Sequence, residues 1–370
     1  MLPAAKSHRF RLADVLPNCL DALAGRRGPL GLAPVDHAIV LLVDGLGWEA
    51  LGARLGHART LAGRVGVDAP IGAGFPTTTA SALASLTTGA APGQHGLVGY
   101  SVLDPAGDRV VNQLTGWGAG VDPATWQRVP TLFQSSAPGV TSVVVAPERY
   151  RDSGFTQAVL RGAEFRGGRS IADRFALVRD ELDRPGPRLV YLYVPELDVA
   201  GHAHGVESPP WTAALEELDG ALAGLVPALG PRAGLVVTAD HGMVDVVPEA
   251  HRIVPPELLA EIRHLAGEPR ALQLHLEPGV DPHAHAQRWR DREGARAWVA
   301  TRAEAIEAGL FGDVHPDVAP RIGDVLVLAR KPVAYYADAA SPARGMVGQH
   351  GSLTPAETGV PLLRFGAWAS

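Results

Sequence analysis

Asp44, Asp198, His202, Asp240, His241 and His350 are three carboxylates and three imidazoles spread over three hundred positions. Each has a recognisable local setting. Asp44 ends the apolar run Ala38-Ile39-Val40-Leu41-Leu42-Val43, and Asp198 and His202 follow the run from Leu189 to Val194. Asp240 and His241 follow Leu235-Val236-Val237-Thr238, and His350 sits in Gly348-Gln349-His350-Gly351. N and O donors in this ratio suit two divalent cations of the zinc type, although manganese or iron would also be accepted. Between the first ligand and the rest lies Phe75-Pro76-Thr77-Thr78-Thr79-Ala80, which offers a hydroxyl nucleophile at a helix start. Two metals and a nucleophile are the parts of phosphoryl-transfer chemistry.

Each residue also has a plainer explanation. Asp44-Gly45 after a strand is an ordinary turn. Asp198 and His202 are four apart, so on a helical turn they share a face and could grip one ion. His204 points away from that face and fits a rim position. Two adjacent titratable groups at the end of a buried strand, Asp240 and His241, need a use, because unpaired buried charge is costly. The glycines beside His350 let the backbone approach a site closely. A threonine before the Ala-rich stretch 80–86 is most often an N-cap. The same geometry also suits a phosphate oxyanion, since free N–H groups and the dipole meet at a helix start. Any of Thr77, Thr78 and Thr79 could carry the reactive hydroxyl. His95 reads as a turn histidine, and Trp48, Tyr100 and Trp117 as candidates to line a pocket.

These residues need elements to position them. Strands are expected at 38–43, 140–145, 188–194 and 234–238, rich in Val, Leu and Ile with little alternation. That is the pattern of parallel strands buried on both faces. Helices are expected at about 79–87, 170–183 and 209–226. Alternating strands and helices imply an α/β fold with a doubly wound, mostly parallel sheet. Ligands in such sheets bind beyond the carboxyl ends of the strands. Asp44, Asp198 and Asp240 each stand just past such an end.

The pattern changes over 250–335. A strand at 271–276, one helical stretch at 281–308 and a strand at 324–329 read as a small α+β insertion. The expected organisation is a catalytic core of 1–249 and 336–370 with an inserted cap at 250–335, which is expected to supply no metal ligand.

Composition narrows the function classes. Of 370 residues, 46% are hydrophobic and 19% charged, enough apolar material for a substantial core. A net charge of −6 argues against a dedicated nucleic-acid or anionic-membrane surface. Cys19 is the only cysteine, so no internal disulfide can form. Met1 to Phe10 lacks an apolar signal core, and no run reaches the roughly 18 apolar residues of a membrane span. A cytoplasmic location is the expectation; the sequence leaves the oligomeric state open.

Taken together, the motifs resemble the alkaline phosphatase superfamily, and within it the bacterial type I phosphodiesterase/nucleotide pyrophosphatase family. The matching segments are Val43-Asp44-Gly45, Thr88-Gly89-Ala90-Ala91-Pro92-Gly93-Gln94-His95-Gly96, Pro195-Glu196-Leu197-Asp198 through His202, Thr238-Ala239-Asp240-His241-Gly242-Met243, and Gly348-Gln349-His350-Gly351. They occur in the family's order. The resemblance implies two zinc sites: Asp198, His202 and His350 for one ion, Asp44, Asp240 and His241 with the nucleophile for the other. The family's nucleophile precedes the Thr of its Thr-Gly turn by nine residues, so counting back from Thr88 gives Thr79 (88 − 9 = 79). Thr79 is followed here by Ala80-Ser81-Ala82 in place of the family's aromatic-proline-asparagine. Where relatives bind a phosphate oxygen through an Asn about twenty-one residues on, this chain has Tyr100, or Ser101 with a one-residue shift, and Tyr100 is the candidate substrate contact.

The reading that follows is a two-metal hydrolase of phosphodiesters or nucleotide pyrophosphates acting through a phospho-threonine. Its partner would be a small phosphate ester or nucleotide. A phosphomonoesterase or phosphonate hydrolase on the same site is the alternative within enzymes, with Arg149 and Arg151 the cations that a dianion would need. The alternative outside enzymes is a metal-containing protein that only binds a phosphorylated ligand. A sulfatase is disfavoured because Cys19 lacks the Cys-x-Pro-x-Arg context.

Overall fold

In the computed structural model, which describes residues 2, 8–118, 120–137 and 139–369, the apolar runs become the strands of one central sheet. These are β1 (His37–Val43), β2 (Thr141–Pro147), β3 (Glu164–Gly168), β4 (Arg188–Val194) and β5 (Ala233–Thr238). Later in the chain come β6 (Ile262–Glu268), β7 (Ala271–Leu276), β8 (Ala297–Thr301), β9 (Val325–Ala329) and β10 (Leu362–Gly366). The central sheet runs β10-β5-β1-β4-β2-β3. All its neighbours are parallel except the edge strand β10, which is antiparallel to β5. Strand β1 is buried from Ala38 to Val43 because helices cover both faces. Each such Val or Leu contributes roughly 1.5–3 kcal/mol of burial.

The register decides where the acids go. Val43 pairs with Val194, and Leu42 with Thr238, so β1, β4 and β5 end together. The Asp44 amide continues the ladder by donating to the Val194 carbonyl at 2.9 Å. Asp44, Asp198 and Asp240 therefore leave the sheet at one edge. Gly45 completes the turn after Asp44. Its φ is +73°, and a Cβ there would lie 3.1 Å from the Asp198 Cα.

Four helices matter for the site: α1 (Thr79–Thr88), α2 (Ile171–Leu182), α3 (Glu196–His204) and α4 (Pro209–Leu225). Helix α1 stops where Gly89 takes φ +68°. Helix α4 buries Trp211, Leu215, Leu218, Leu222 and Leu225, one stripe at helical spacing.

Between His241 and His350 the chain builds a second, antiparallel sheet in the order β6-β7-β9-β8, with its own apolar cluster including Leu274, Trp289, Val325 and Tyr335. One sequence expectation fails here. The helical stretch 281–308 is two helices, α5 (Pro282–Glu293) and α6 (Arg302–Glu307), with β8 between them. Apolar Ala297-Trp298-Val299-Ala300 pairs along β9, and that ladder overrides the helical pattern on either side. Among the described residues no helix is long and apolar enough to cross a membrane.

Candidate active site

Helix α3 opens two residues after β4 ends and carries Asp198 in its first turn and His202 one turn later. His202 Nε2 lies 3.3 Å from Asp198 Oδ1. The other ring nitrogen, Nδ1, donates to the Gly348 carbonyl at 2.8 Å. A carbonyl cannot donate, so Nδ1 holds the proton and Nε2 is left as a free lone pair. His350 repeats the device: its Nδ1 donates to the Thr77 carbonyl at 2.8 Å, freeing Nε2. The His350 ring stacks on His241 with centroids 3.7 Å apart and lies 5.2 Å from that of His202.

His241 is fully buried, and its Nε2 is a hub. Thr79 Oγ1 lies 3.2 Å from it, Asp44 Oδ1 3.5 Å and Asp240 Oδ2 3.5 Å. Asp240 Oδ1 is occupied by the amides of Gly45 and His241, each at 3.1 Å. Asp44 Oδ2 accepts a short hydrogen bond from the Tyr193 hydroxyl. The remaining oxygens, Asp44 Oδ1, Asp198 Oδ1 and Asp240 Oδ2, are buried without a hydrogen-bond partner.

Burying these carboxylates together is electrostatically expensive. Burial, and then the charge of Asp44, push Asp198 up to about 8. Burial and the closeness of Asp240 raise Asp44, against the pull of Tyr193. Burial likewise raises Asp240, followed by Asp198. Burial drives His241 down to about 3, and lowers His350 with help from its two histidine neighbours. Burial thus favours the neutral forms of His241 and His350 and opposes ionisation of the three carboxyls, an opposition that a cation beside them would relieve.

Ligand atoms of Asp198, His202 and His350 lie within 4.8 Å of one another, as do those of Asp44, Asp198 and His241. Divalent cations fit the residues present: three unpaired carboxylate oxygens, and the His202 and His350 imidazoles whose tautomers are fixed for ligation. Asp198 faces both groups, whereas the resemblance assigned it to one.

Among the three threonines the environments differ. Thr77 Oγ1 donates to the Ser352 carbonyl at 2.8 Å and is used structurally. Thr78 is the N-cap of α1 by position, though its hydroxyl makes no capping bond. Thr79 is the first helical residue, so the N-cap explanation does not apply to it; its hydroxyl faces His241.

Other sequence candidates lie elsewhere. Tyr100 is 37% exposed just before the hairpin 101–112, and no hydrogen bond or ring contact ties it to the Asp/His set. Arg151 is committed to Glu148 at 2.6 and 2.8 Å and to the Phe165 carbonyl at 2.9 Å. Arg149 is exposed and lies over the Tyr150 ring, itself 6.1 Å from that of Tyr193. Trp48 lines a cavity of about 510 Å³ with Phe75, Trp298 and Leu353, and Trp117 a separate surface pocket beside Gly154. His95 is buried against Ser85 Oγ at 3.0 Å, a structural role. His204 is exposed at the end of α3.

Sequence reasoning missed Tyr193 and Glu268. Tyr193 sits one residue before the end of β4, a position from which a side chain can reach a neighbouring strand end; that offset was the available signal. Glu268 ends β6, is 8% exposed, and places Oε2 3.4 Å from His350 Nδ1. Nothing local in the sequence marks it, because the contact spans the insertion.

Residues 38–353 match the family described as Type I phosphodiesterase / nucleotide pyrophosphatase. An uncharacterised pyrophosphatase/phosphodiesterase of Schizosaccharomyces pombe is 28% identical over 179 residues, 46% of this chain and 36% of that relative. The chain thus spans about a third of that relative's length. Among solved structures, murine ectonucleotide pyrophosphatase/phosphodiesterase 5, an inactive Thr-to-Ala variant in complex with AMP, is similar with a TM-score of 0.68 and 17% identity. The likeness covers 89% of this chain and 88% of that one. Phosphonoacetate hydrolase from Sinorhizobium meliloti, in complex with phosphonoacetate, gives a TM-score of 0.70 at 20% identity over 92% and 91%. At these identities the two structures attest the fold.

Proposed function

The chain belongs to the type I phosphodiesterase/nucleotide pyrophosphatase family of the alkaline phosphatase superfamily, and from that premise we propose that it is a metal-dependent hydrolase of phosphodiesters or nucleotide pyrophosphates. The observation that carries the reading is the meeting of Thr79 Oγ1 with His241 Nε2 at 3.2 Å, beside unpaired oxygens of Asp44, Asp198 and Asp240.

In this reading Asp198, His202 and His350 hold one divalent cation, and Asp44, Asp240 and His241 hold the other with Thr79. Bound there, two divalent cations, zinc in the first instance, supply Lewis acidity and lower the pKa of a hydroxyl or water. The chain's residues do the rest. Thr79 presents its hydroxyl at the start of α1, where free amides face an anion. It gives up its proton to solvent and attacks phosphorus, the P–O bond to the leaving alcohol or phosphate breaks, and a threonine-linked phosphodiester that keeps the substrate's other group forms; water then attacks the same phosphorus, releases a phosphomonoester and restores the Thr79 hydroxyl. His241, neutral because it is buried, stays a lone-pair donor throughout. Tyr193 holds Asp44 from behind, and the Gly348 and Thr77 carbonyls hold His202 and His350 in the needed tautomers.

Charge supports diesters over monoesters. Among the described residues no Arg or Lys pairs with Asp44, Asp198 or Asp240, and Glu268 adds a further carboxylate. A dianionic phosphate would meet acid where it needs a cationic clamp. That the murine relative solved with AMP is an inactive Thr-to-Ala variant agrees with a threonine in the central role. Turnover of bis(p-nitrophenyl) phosphate, p-nitrophenyl phosphate and phosphonoacetate by zinc-loaded protein tests the proposal. Diester turnover should lead. A monoester rate ten times higher would reverse the ranking, and metal-loaded protein inert to all three would favour a binding role.

A further inference from the structure

We propose that Glu268, brought to the centre by the first hairpin of the inserted segment, is a positioning residue that holds His350 for metal binding. The proposal rests on the metal-site reading above. His350 reaches the site from a loop between two glycines, not from a strand end. Something must fix its ring, and the Thr77 carbonyl alone takes its Nδ1 proton. Glu268 Oε2 lies 3.4 Å from the same nitrogen, placing a carboxylate behind the ring as a second acceptor beside the N–H that Thr77 holds. A carboxylate behind a ligating imidazole raises its basicity and fixes its direction.

The packing is built around this contact. Gly351 follows His350 with φ +125°, and a Cβ there would lie 2.6 Å from Glu268 Cγ. The glycine is what admits the carboxylate. Two residues beyond Glu268, Arg270 reaches Glu357 through Nε and Nη2, both at 2.8 Å, with both side chains fully buried. Glu357 Oε1 in turn accepts the amide of Ser352 at 2.9 Å, and its backbone carbonyl accepts the amide of Gly242. One hairpin tip therefore braces the loop after His350 directly, and the turn after His241 at one remove.

Charge gives the second argument. Arg270 commits its fork to Glu357, so Glu268 has no guanidinium or ammonium partner among the described residues. Burial, and then the charge of Glu357, push its carboxyl well above the usual range, against the weaker pull of the Thr78 hydroxyl and Arg270. A buried carboxylate left in that condition is costly unless a cation answers it. Once ionised, Glu268 with Asp44, Asp198 and Asp240 would supply four negative charges, the number that two divalent cations balance.

Glu268→Gln, which keeps the shape and removes the charge, separates this role from packing. Zinc affinity is measured by chelator competition, and melting on metal-stripped protein. The expected result is zinc binding weaker by roughly 10–100-fold, with the stripped variant melting at or above the parent temperature and KM for bis(p-nitrophenyl) phosphate little changed. Glu268→Asp, which keeps the charge, should recover part of the affinity. Zinc affinity within twofold of the parent would overturn the proposal, as would a fall in stripped-protein melting that accounts for the metal loss. A raised KM at parental zinc affinity would overturn it too, making Glu268 a substrate contact. Parent protein that binds no zinc would sink the metal-site reading as well; retained affinity in the variant would sink this proposal alone.

Discussion

Thr79 Oγ1 and His241 Nε2 stand 3.2 Å apart although 162 residues separate them in the chain. That contact distinguishes Thr79 from its neighbours. Thr77 spends its hydroxyl on Ser352, and Thr78 occupies the cap position of α1.

Thr79→Ala should therefore lower turnover by on the order of a thousandfold or more, the scale seen when a nucleophile is removed. Bound metal should remain near the parental amount, because the Asp and His ligands are intact. Thr79→Ser keeps a hydroxyl and should retain part of the activity. Specific activity and metal content on the same samples decide it. An active Thr79→Ala enzyme with a dead Thr78→Ala one would move the nucleophile by one residue.

Tyr193→Phe tests the support behind Asp44. The ring should stay in place, stacked near Tyr191 with centroids 6.4 Å apart. Only the hydroxyl is lost, and with it the hydrogen bond that favours ionised Asp44. Metal affinity should fall roughly 10-fold, and KM should hold. Chelator competition at constant pH reads the first, and initial-rate kinetics at saturating metal the second. Unchanged affinity would make the hydrogen bond incidental.

Much of this site could be read from sequence because strand ends are local. The runs before Asp44, Asp198 and Asp240 are apolar and buried on both faces, so each announces its own strand and the acid just beyond it. The i, i+4 spacing of Asp198 and His202 needs only a helical turn. What could not be read is set by contacts across the chain. Glu268 meets His350 only because the end of β6 lies against the loop 350–351. Tyr193 meets Asp44 only because β1 and β4 are neighbours in register. The stretch 281–308 misleads for a related reason: Ala297 to Thr301 is a strand only in the presence of β9.

The Arg270–Glu357 pair should be a point of structural weakness. Both partners are fully buried. Breaking such a pair leaves an uncompensated buried charge and costs roughly 3–5 kcal/mol. Arg270→Met should therefore lower the melting temperature sharply. Combining it with Glu357→Gln removes the stranded charge and should recover part of the loss, since the amide oxygen can still accept from Ser352. Denaturant melts of the two proteins give the comparison. Equal stability of the single and double variants would show that packing, not charge, is what Arg270 supplies.

The final prediction concerns pH and turns on sign. In metal-stripped protein Asp198 is raised from its unfolded value near 3.8 to about 8, and Asp44 and Asp240 are raised with it. Between the unfolded and folded values the native state binds more protons than the unfolded chain, so stability falls as pH rises. His241, lowered to about 3, and His350, lowered by burial, act in the opposite sense. They oppose folding below about pH 6.5, where the unfolded chain takes up their protons. From about pH 7.5 upward the unfolded histidines have given up most of their protons and the raised carboxylates, Glu268 among them, set the trend. Stripped protein should accordingly melt at a lower temperature at pH 8 than at pH 7.5. Zinc binds the deprotonated carboxylates, so the loaded protein should show the reverse trend, with the largest zinc-induced rise in melting temperature at pH 8. Parallel melts with and without zinc across that window test the argument. A zinc-induced rise that shrinks toward pH 8 would mean that these carboxylates are not what the metal relieves.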